Sequence, residues 1–177
     1  GDAYFIKRYL GASKVVGVDL SPSSIEACQR FYRLPELEFQ VGDAEQLPFE
    51  AESFDVIVNI ESSNCYASLI TFYREVFRLL RPRGRFLYCD YFWDKRFQDQ
   101  LLAAGFKVAE EEEITEEVLR ACQEGQVIRE ALSASLVPRF LDGMFREFGG
   151  LPGSKIYRMF EQKTYRYYRF SLIKDPA

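Results

Sequence analysis

Two acidic residues that close short apolar runs, Asp19 and Asp43, and the polar stretch at residues 59–66 (NIESSNCY) are where this sequence could do chemistry. In an open parallel sheet, ligands sit beyond the carboxyl ends of the strands, so polar groups placed there are candidate binding groups. A carboxylate at Asp19 can accept both hydroxyl hydrogens of a ribose. It can also simply face the dipole of the helix that follows it. A second acid at Asp43 can accept from an exocyclic adenine amine while the Ala44 backbone N–H meets a ring nitrogen; alone, Gly42-Asp43 also reads as a turn. Taken together, two acids at successive strand ends suggest an adenosine held across the sheet edge. Asn59, Ile60 and Glu61 end the next strand, near the expected switch in strand order, and their carbonyls and side chains suit the charged end of an amino-acid-like ligand. An ordinary solvated loop would carry the same residues. The 177 residues include no histidine, which removes the commonest general base and the commonest metal ligand. Proton removal then falls to Glu61 and, after it, Tyr66.

The elements that must position these groups follow from periodicity. Residues 4–10 (YFIKRYL) have helical spacing and stop at Gly11. Residues 14–20 (KVVGVDL) are a β-branched strand, and Ser21-Pro22 supplies an N-cap and first-turn proline for a helix at 23–33. Strands at 37–41 (LEFQV) and 54–58 (FDVIV) flank a loop carrying Leu47-Pro48-Phe49. An amphipathic helix at 69–80, a turn at Pro82-Arg83-Gly84, a strand at 85–90, a helix at 94–104 closed by Gly105 and a strand from Phe106 to Glu110 continue the alternation. Glu110 to Glu113 reads as a solvated acidic edge. Alternating strands and helices predict an α/β fold with an open sheet of mostly parallel strands and helices on both faces. The alternation breaks at 115–148, which is helical throughout, with a capped acidic start at Thr115 and a division at Pro138. A Gly- and Pro-rich loop at 149–153, a short helix at 154–160 and a last strand at 164–173 close the chain.

Composition narrows the function classes. At 47% hydrophobic, the chain has enough apolar content for one core. A net charge of −4 with no long basic block argues against nucleic acid as a principal partner. The four cysteines are spaced widely, with no C-x-x-C, as expected of free thiols in the cytoplasm. No apolar run approaches the roughly 20 residues of a transmembrane helix.

With these residues placed, the sequence resembles the class I S-adenosylmethionine-dependent methyltransferases over nearly all of residues 1–87. Residues 16–21 (VGVDLS) resemble that family's ribose-binding strand end, residues 42–49 (GDAEQLPF) its adenine-binding loop, and residues 54–57 (FDVI) the strand after it. Phe72, Arg74-Glu75, Arg78-Leu79-Leu80, Pro82 and Gly84 complete the pattern. More narrowly, residues 59–66 and 148–154 (FGGLPGS) look like the phthiotriolone and phenolphthiotriolone dimycocerosate methyltransferases and related natural-product enzymes. Those relatives usually show a histidine where this chain has Asn64. The resemblance implies S-adenosylmethionine as cofactor, with Asp19 and Leu20 at the ribose, Asp43 and Ala44 at the adenine, and Asn59, Ile60 and Glu61 bordering the methionine. It also implies a small-molecule or lipid-like acceptor, methylated at a hydroxyl.

Gly1 would be the last glycine of the family's glycine-rich loop, so the strand and most of the loop that precede it there are not in this chain. The expected organisation is therefore a partial cofactor-binding core at 1–114, a helical lid at 115–160 and a returning strand at 161–177. In that lid Leu136, Phe140, Met144, Phe145, Phe148, Tyr157 and Phe160 either line an acceptor site or serve as helix core. A sheet lacking that strand is expected to leave two inner edges unpaired and to bind little or no cofactor on its own. Two other functions fit parts of the pattern. A nicotinamide-dependent oxidoreductase would use Asp19 but has no need of Asp43, and a non-catalytic methyltransferase relic would keep the fold alone.

Overall fold

The computed structural model describes residues 1–136 and 138–175, without the side chains of 132–134, 136, 139, 142 and 148. Strand β1 (Val15–Asp19) follows helix α1 (Asp2–Tyr9) and leads into α2 (Pro22–Phe31), which opens as its sequence dictates, with the Ser21 side chain accepting from the Ser24 N–H. Strand β2 (Leu37–Val41) pairs in parallel with β1 from Val15 opposite Leu37 to Asp19 opposite Val41. These two strands form a sheet of their own.

The second sheet has the order β3-β4-β6-β5. Its members are β3 (Phe54–Ile60), β4 (Leu80–Phe92), β5 (Phe106–Glu113) and β6 (Arg166–Lys174). The β3–β4 pair is parallel, and β6 runs antiparallel to both its neighbours. Helix α3 (Leu69–Leu79) and α4 (Arg96–Ala103) cover one face of this sheet, where Phe72, Tyr73, Val76, Phe86, Tyr88, Leu101, Phe170 and Leu172 build the core. On the other face Val56, Val58, Ile60 and Leu87 stay 47, 37, 48 and 40% exposed.

Three local expectations change. The turn at 82–84 is an excursion inside one long strand: β3 advances from Phe54 to Val56 while β4 advances from Leu80 to Arg85, with Arg83 at φ +66°. The acidic run at 110–113 is solvated but is also paired strand, since Glu112 and Glu113 bridge to Arg169 and Arg166 of β6. Charged side chains on such an edge discourage pairing with another chain. Thr115 does not cap a helix; it is buried, and its hydroxyl accepts from the Tyr167 N–H at 3.0 Å. Tertiary contact overrides the local signal there.

Between β5 and β6 lie α5 (Thr115–Glu124), α6 (Gln126–Leu136), a 3-10 turn (Arg139–Leu141), α7 (Asp142–Phe148) and α8 (Lys155–Glu161), with Pro138 at the expected break. No helix among the described residues is long and apolar enough to cross a membrane.

Candidate functional site

Asp19 and Asp43 come to the same sheet end because β1 and β2 are in register and the Gly42 N–H donates to the Asp19 carbonyl at 3.0 Å. A side chain at Gly42 would meet Val18 at 2.9 Å, so glycine lets the chain turn tightly here. Both acids are exposed. Each has a local role as well: the Asp19 Oδ1 accepts from the Ser21 N–H at 2.8 Å, and the Asp43 Oδ1 from the Glu45 N–H at 2.9 Å. A carboxylate has about four acceptor positions, so neither bond exhausts its capacity. Leu20 is exposed and Ala44 half-buried against the core. Gly1, at the start of α1, accepts from the Phe5 N–H.

The loop that carries Asp43 and Ala44 is clamped to α3. The Glu75 Oε1 accepts from the Leu47 N–H at 2.8 Å, and the Arg78 guanidinium grips Glu75 while donating to the Phe49 and Leu47 carbonyls. Hydrogen bonding from Arg78 holds the Glu75 carboxyl below the usual range. Glu45 reaches across to the start of α3, its Oε1 accepting from the Ala67 and Ser68 N–H groups at 2.7 and 3.1 Å.

At the end of β3, Asn59 donates both amide hydrogens, to the Ser62 hydroxyl at 2.8 Å and the Tyr66 hydroxyl at 2.9 Å. Its Oδ1 is a buried acceptor with no partner. Ile60 is exposed. Glu61 is exposed at φ +53°, and its N–H donates to the Cys89 carbonyl at 2.9 Å. Burial and then a hydrogen bond to Glu61 raise the Tyr167 phenol well above its ordinary range. Burial, followed by the charges of Glu61 and Asp90, pushes the Cys89 thiol up to about 11, so it is a poor nucleophile at neutral pH.

Beside Glu61 the ends of β4 and β6 and helix α8 bring together a group of rings. Tyr91 packs against Phe160, Tyr165 and Tyr167 with centroids 5.6, 5.3 and 5.9 Å apart, and Trp93 lies 6.3 Å from Tyr165. Of the apolar residues expected to line the acceptor, Tyr157 and Phe160 are buried, Phe145 is half-buried, and Phe140 and Met144 are exposed. The side chains of Leu136 and Phe148 fall outside the described residues.

Sequence reasoning missed Asp90, which is fully buried and receives hydrogen bonds from Ser63, Asn64 and Tyr91. The signal was present, since Asp90 ends an apolar strand run just as Asp19 does. It also gave no separate role to Glu45, which it placed only within the stretch at 42–49. A groove of about 630 Å³ lined by Gln29, Tyr32, Arg33, Leu37, Phe39 and Gln40 lies alongside β2 and includes none of the strand-end residues.

Residues 1–88 match the model of a family described as a methyltransferase domain. A phthiotriol/phenolphthiotriol dimycocerosates methyltransferase of Mycobacterium leprae is 37% identical over 182 residues, covering 99% of this chain and 66% of that protein. A fatty-acid O-methyltransferase of Mycolicibacterium smegmatis is 30% identical over 184 residues, covering 100% of this chain and 65% of that protein. The chain thus spans just under two thirds of the length of these relatives. Among solved structures, a candidate sarcosine dimethylglycine methyltransferase from Galdieria sulphuraria superposes with a TM-score of 0.82 at 12% identity, over 99% of this chain and 76% of that one. A geranyl diphosphate methyltransferase in complex with SAM gives 0.67 at 19% identity, over 96% and 71%. By sequence and by fold, this chain belongs to the Rossmann-like S-adenosylmethionine-dependent methyltransferases.

Proposed function

We propose that the chain forms the catalytic domain of an enzyme that transfers a methyl group from S-adenosylmethionine to a hydroxyl of a lipid-like acceptor. The observation that carries this reading is the partnerless buried Asn59 Oδ1 at the end of β3. A buried acceptor without a donor costs roughly 1–3 kcal/mol, and the ammonium of a methionine moiety is a donor of the right charge. The residues present fit the rest of the cofactor: Asp19 accepts from ribose hydroxyls, Asp43 from an adenine amine, and the Ala44 N–H donates to the ring. When bound, S-adenosylmethionine supplies an electrophilic methyl on a sulfonium, open to in-line attack.

Glu61 would take the proton of the acceptor hydroxyl, whose oxygen would receive the methyl that the bound cofactor supplies. Tyr66 keeps Asn59 and Ser62 in one hydrogen-bonded group and is the second candidate for handling that proton. Holding oxygen and methyl in line is itself a large part of the acceleration, with effective molarities of ~10⁵ M or more in favourable cases. The lipid-like acceptor is supported by the names of the two mycobacterial relatives and by the rings of Tyr91, Trp93, Phe160 and Tyr165 beside Glu61. Helices α5–α8 would close over it as a lid.

Isothermal titration tests the cofactor assignment on the protein as its natural locus encodes it. Replacing Asp43 by Ala, or Asp19 by Ala, is expected to weaken S-adenosylmethionine binding by about tenfold or more, the loss of a hydrogen bond to a charged group. Unchanged affinity in both variants would remove these acids from the site.

A further inference from the structure

Asp90 is 0% exposed, and among the described residues no Lys or Arg pairs with it. Its carboxyl is met by neutral donors. The Oδ2 accepts from the Ser63 N–H at 2.9 Å, the Ser63 hydroxyl at 2.5 Å and the Asn64 N–H at 3.3 Å, while the Oδ1 accepts from the Asn64 amide at 3.0 Å and the Tyr91 N–H at 2.8 Å. Because Ser63 gives its one hydroxyl hydrogen to Asp90, the Tyr88 phenol at 2.5 Å must donate to Ser63, and Tyr73 at 3.0 Å must donate to Tyr88. Burial raises both phenols above their ordinary range, so both hydrogens stay in place through neutral pH. The result is one directed chain, from Tyr73 on α3 through β4 to the turn at Ser63–Cys65.

That turn follows Glu61, whose left-handed backbone is uncommon for a residue with a side chain. Such conformations persist where the surroundings over-determine them. Glu61 is held from one side by the Cys89 carbonyl, and the residues two and three beyond it are held by Asp90, the next residue of β4. We propose that Asp90 is the positioning residue of this site: it fixes the 61–66 loop so that the Glu61 carboxylate and the Asn59–Tyr66 pair keep their places. The proposal rests on reading Glu61 as the group that takes the acceptor's proton.

The test compares Asp90→Asn, Ser63→Ala and Asn64→Ala with the parent protein. An Asn at position 90 turns an N–H₂ toward N–H donors, so at least one loop bond is lost. Hydrogen exchange at the Ser63 and Asn64 amides is expected to speed up by about tenfold or more in Asp90→Asn, with β4 and β6 amides unchanged. The kcat for methyl transfer is expected to fall by about 10²-fold, as for a misplaced catalytic group. Ser63→Ala and Asn64→Ala, which each remove one bond, should show smaller shifts in the same direction. Unchanged amide exchange in Asp90→Asn, or a kcat within about twofold of the parent in all three variants, would overturn the proposal. Should Asp90→Asn not fold, the same criteria apply to the two single-bond variants. A parent with no methyl transfer defeats the functional reading alone, and the amide exchange then decides the anchor.

Discussion

In the function proposed above, Glu61 is the residue on which the chemistry turns. It is exposed, held in a left-handed conformation and set against the raised phenol of Tyr167, at the one strand end where Asn59 also presents a partnerless acceptor. The chain has no histidine, and the proposed function gives the hydroxyl proton to this carboxylate. Glu61→Gln keeps the shape and removes the base. The expected result is a fall in kcat of about 10²-fold, with KM for S-adenosylmethionine little changed, read from initial rates of methyl transfer. Unchanged turnover would take Glu61 out of the mechanism. The strand-end residues Asp19, Asp43 and Asn59 were legible in the sequence because a period of two marks where a strand stops. Asp90 was less so, because its partners Ser63 and Asn64 are 27 and 26 positions away and only the fold brings them into contact. Nor could spacing along one segment say that Asn59 spends both amide hydrogens on Ser62 and Tyr66.

Among the elements, α3 and the 42–53 loop show how a helix can serve two ends. Its apolar stripe enters the core, as the amphipathic pattern predicts. Its Glu75 and Arg78, three apart, form an ion pair that turns onto the loop that carries Asp43. Glu75→Gln is expected to cost about 2 kcal/mol in urea unfolding at neutral pH, since the Glu75 side chain is only 12% exposed and loses its charge-assisted bonds. Because Arg78 lowers the Glu75 carboxyl in the folded state, its stabilisation is present above the unfolded value of about 4.3 and is lost as pH falls through the lowered folded value. The gap between parent and variant should therefore narrow in acid; an equal gap at neutral pH and at about pH 2 would contradict the role given to the charge. The helix and strand order was readable except within residues 115–148, where the helices part at Gly125 as well as at Pro138. The excursion within β4, the strand pairing of the acidic run and the burial of Thr115 were not, because each is decided by a neighbour distant in sequence.

On the scale of the whole molecule, the two sheets are unequally supported. Ile25 is the one buried apolar side chain of residues 1–41, whereas β4, β6, α3 and α4 share a continuous core. The β1–β2 half joins the rest largely through the 42–53 loop, by Glu45 to the start of α3 and by Leu47 and Phe49 to Glu75 and Arg78. The acids proposed for adenosine, Asp19 and Asp43, thus sit on or beside the lightly packed half and the residues proposed for methionine, Asn59 to Glu61, on the well-packed one, so a cofactor bound as proposed would span both. Binding to the folded state alone would then stabilise the pairing of the halves. The most direct measurement is incubation of the protein, as its natural locus encodes it, with methyl-labelled S-adenosylmethionine and lipid and polyketide extracts. The account predicts label in the organic phase as an O-methyl group; label confined to nitrogen or carbon, or cofactor binding with no transfer to any hydroxyl-bearing lipid, would contradict it.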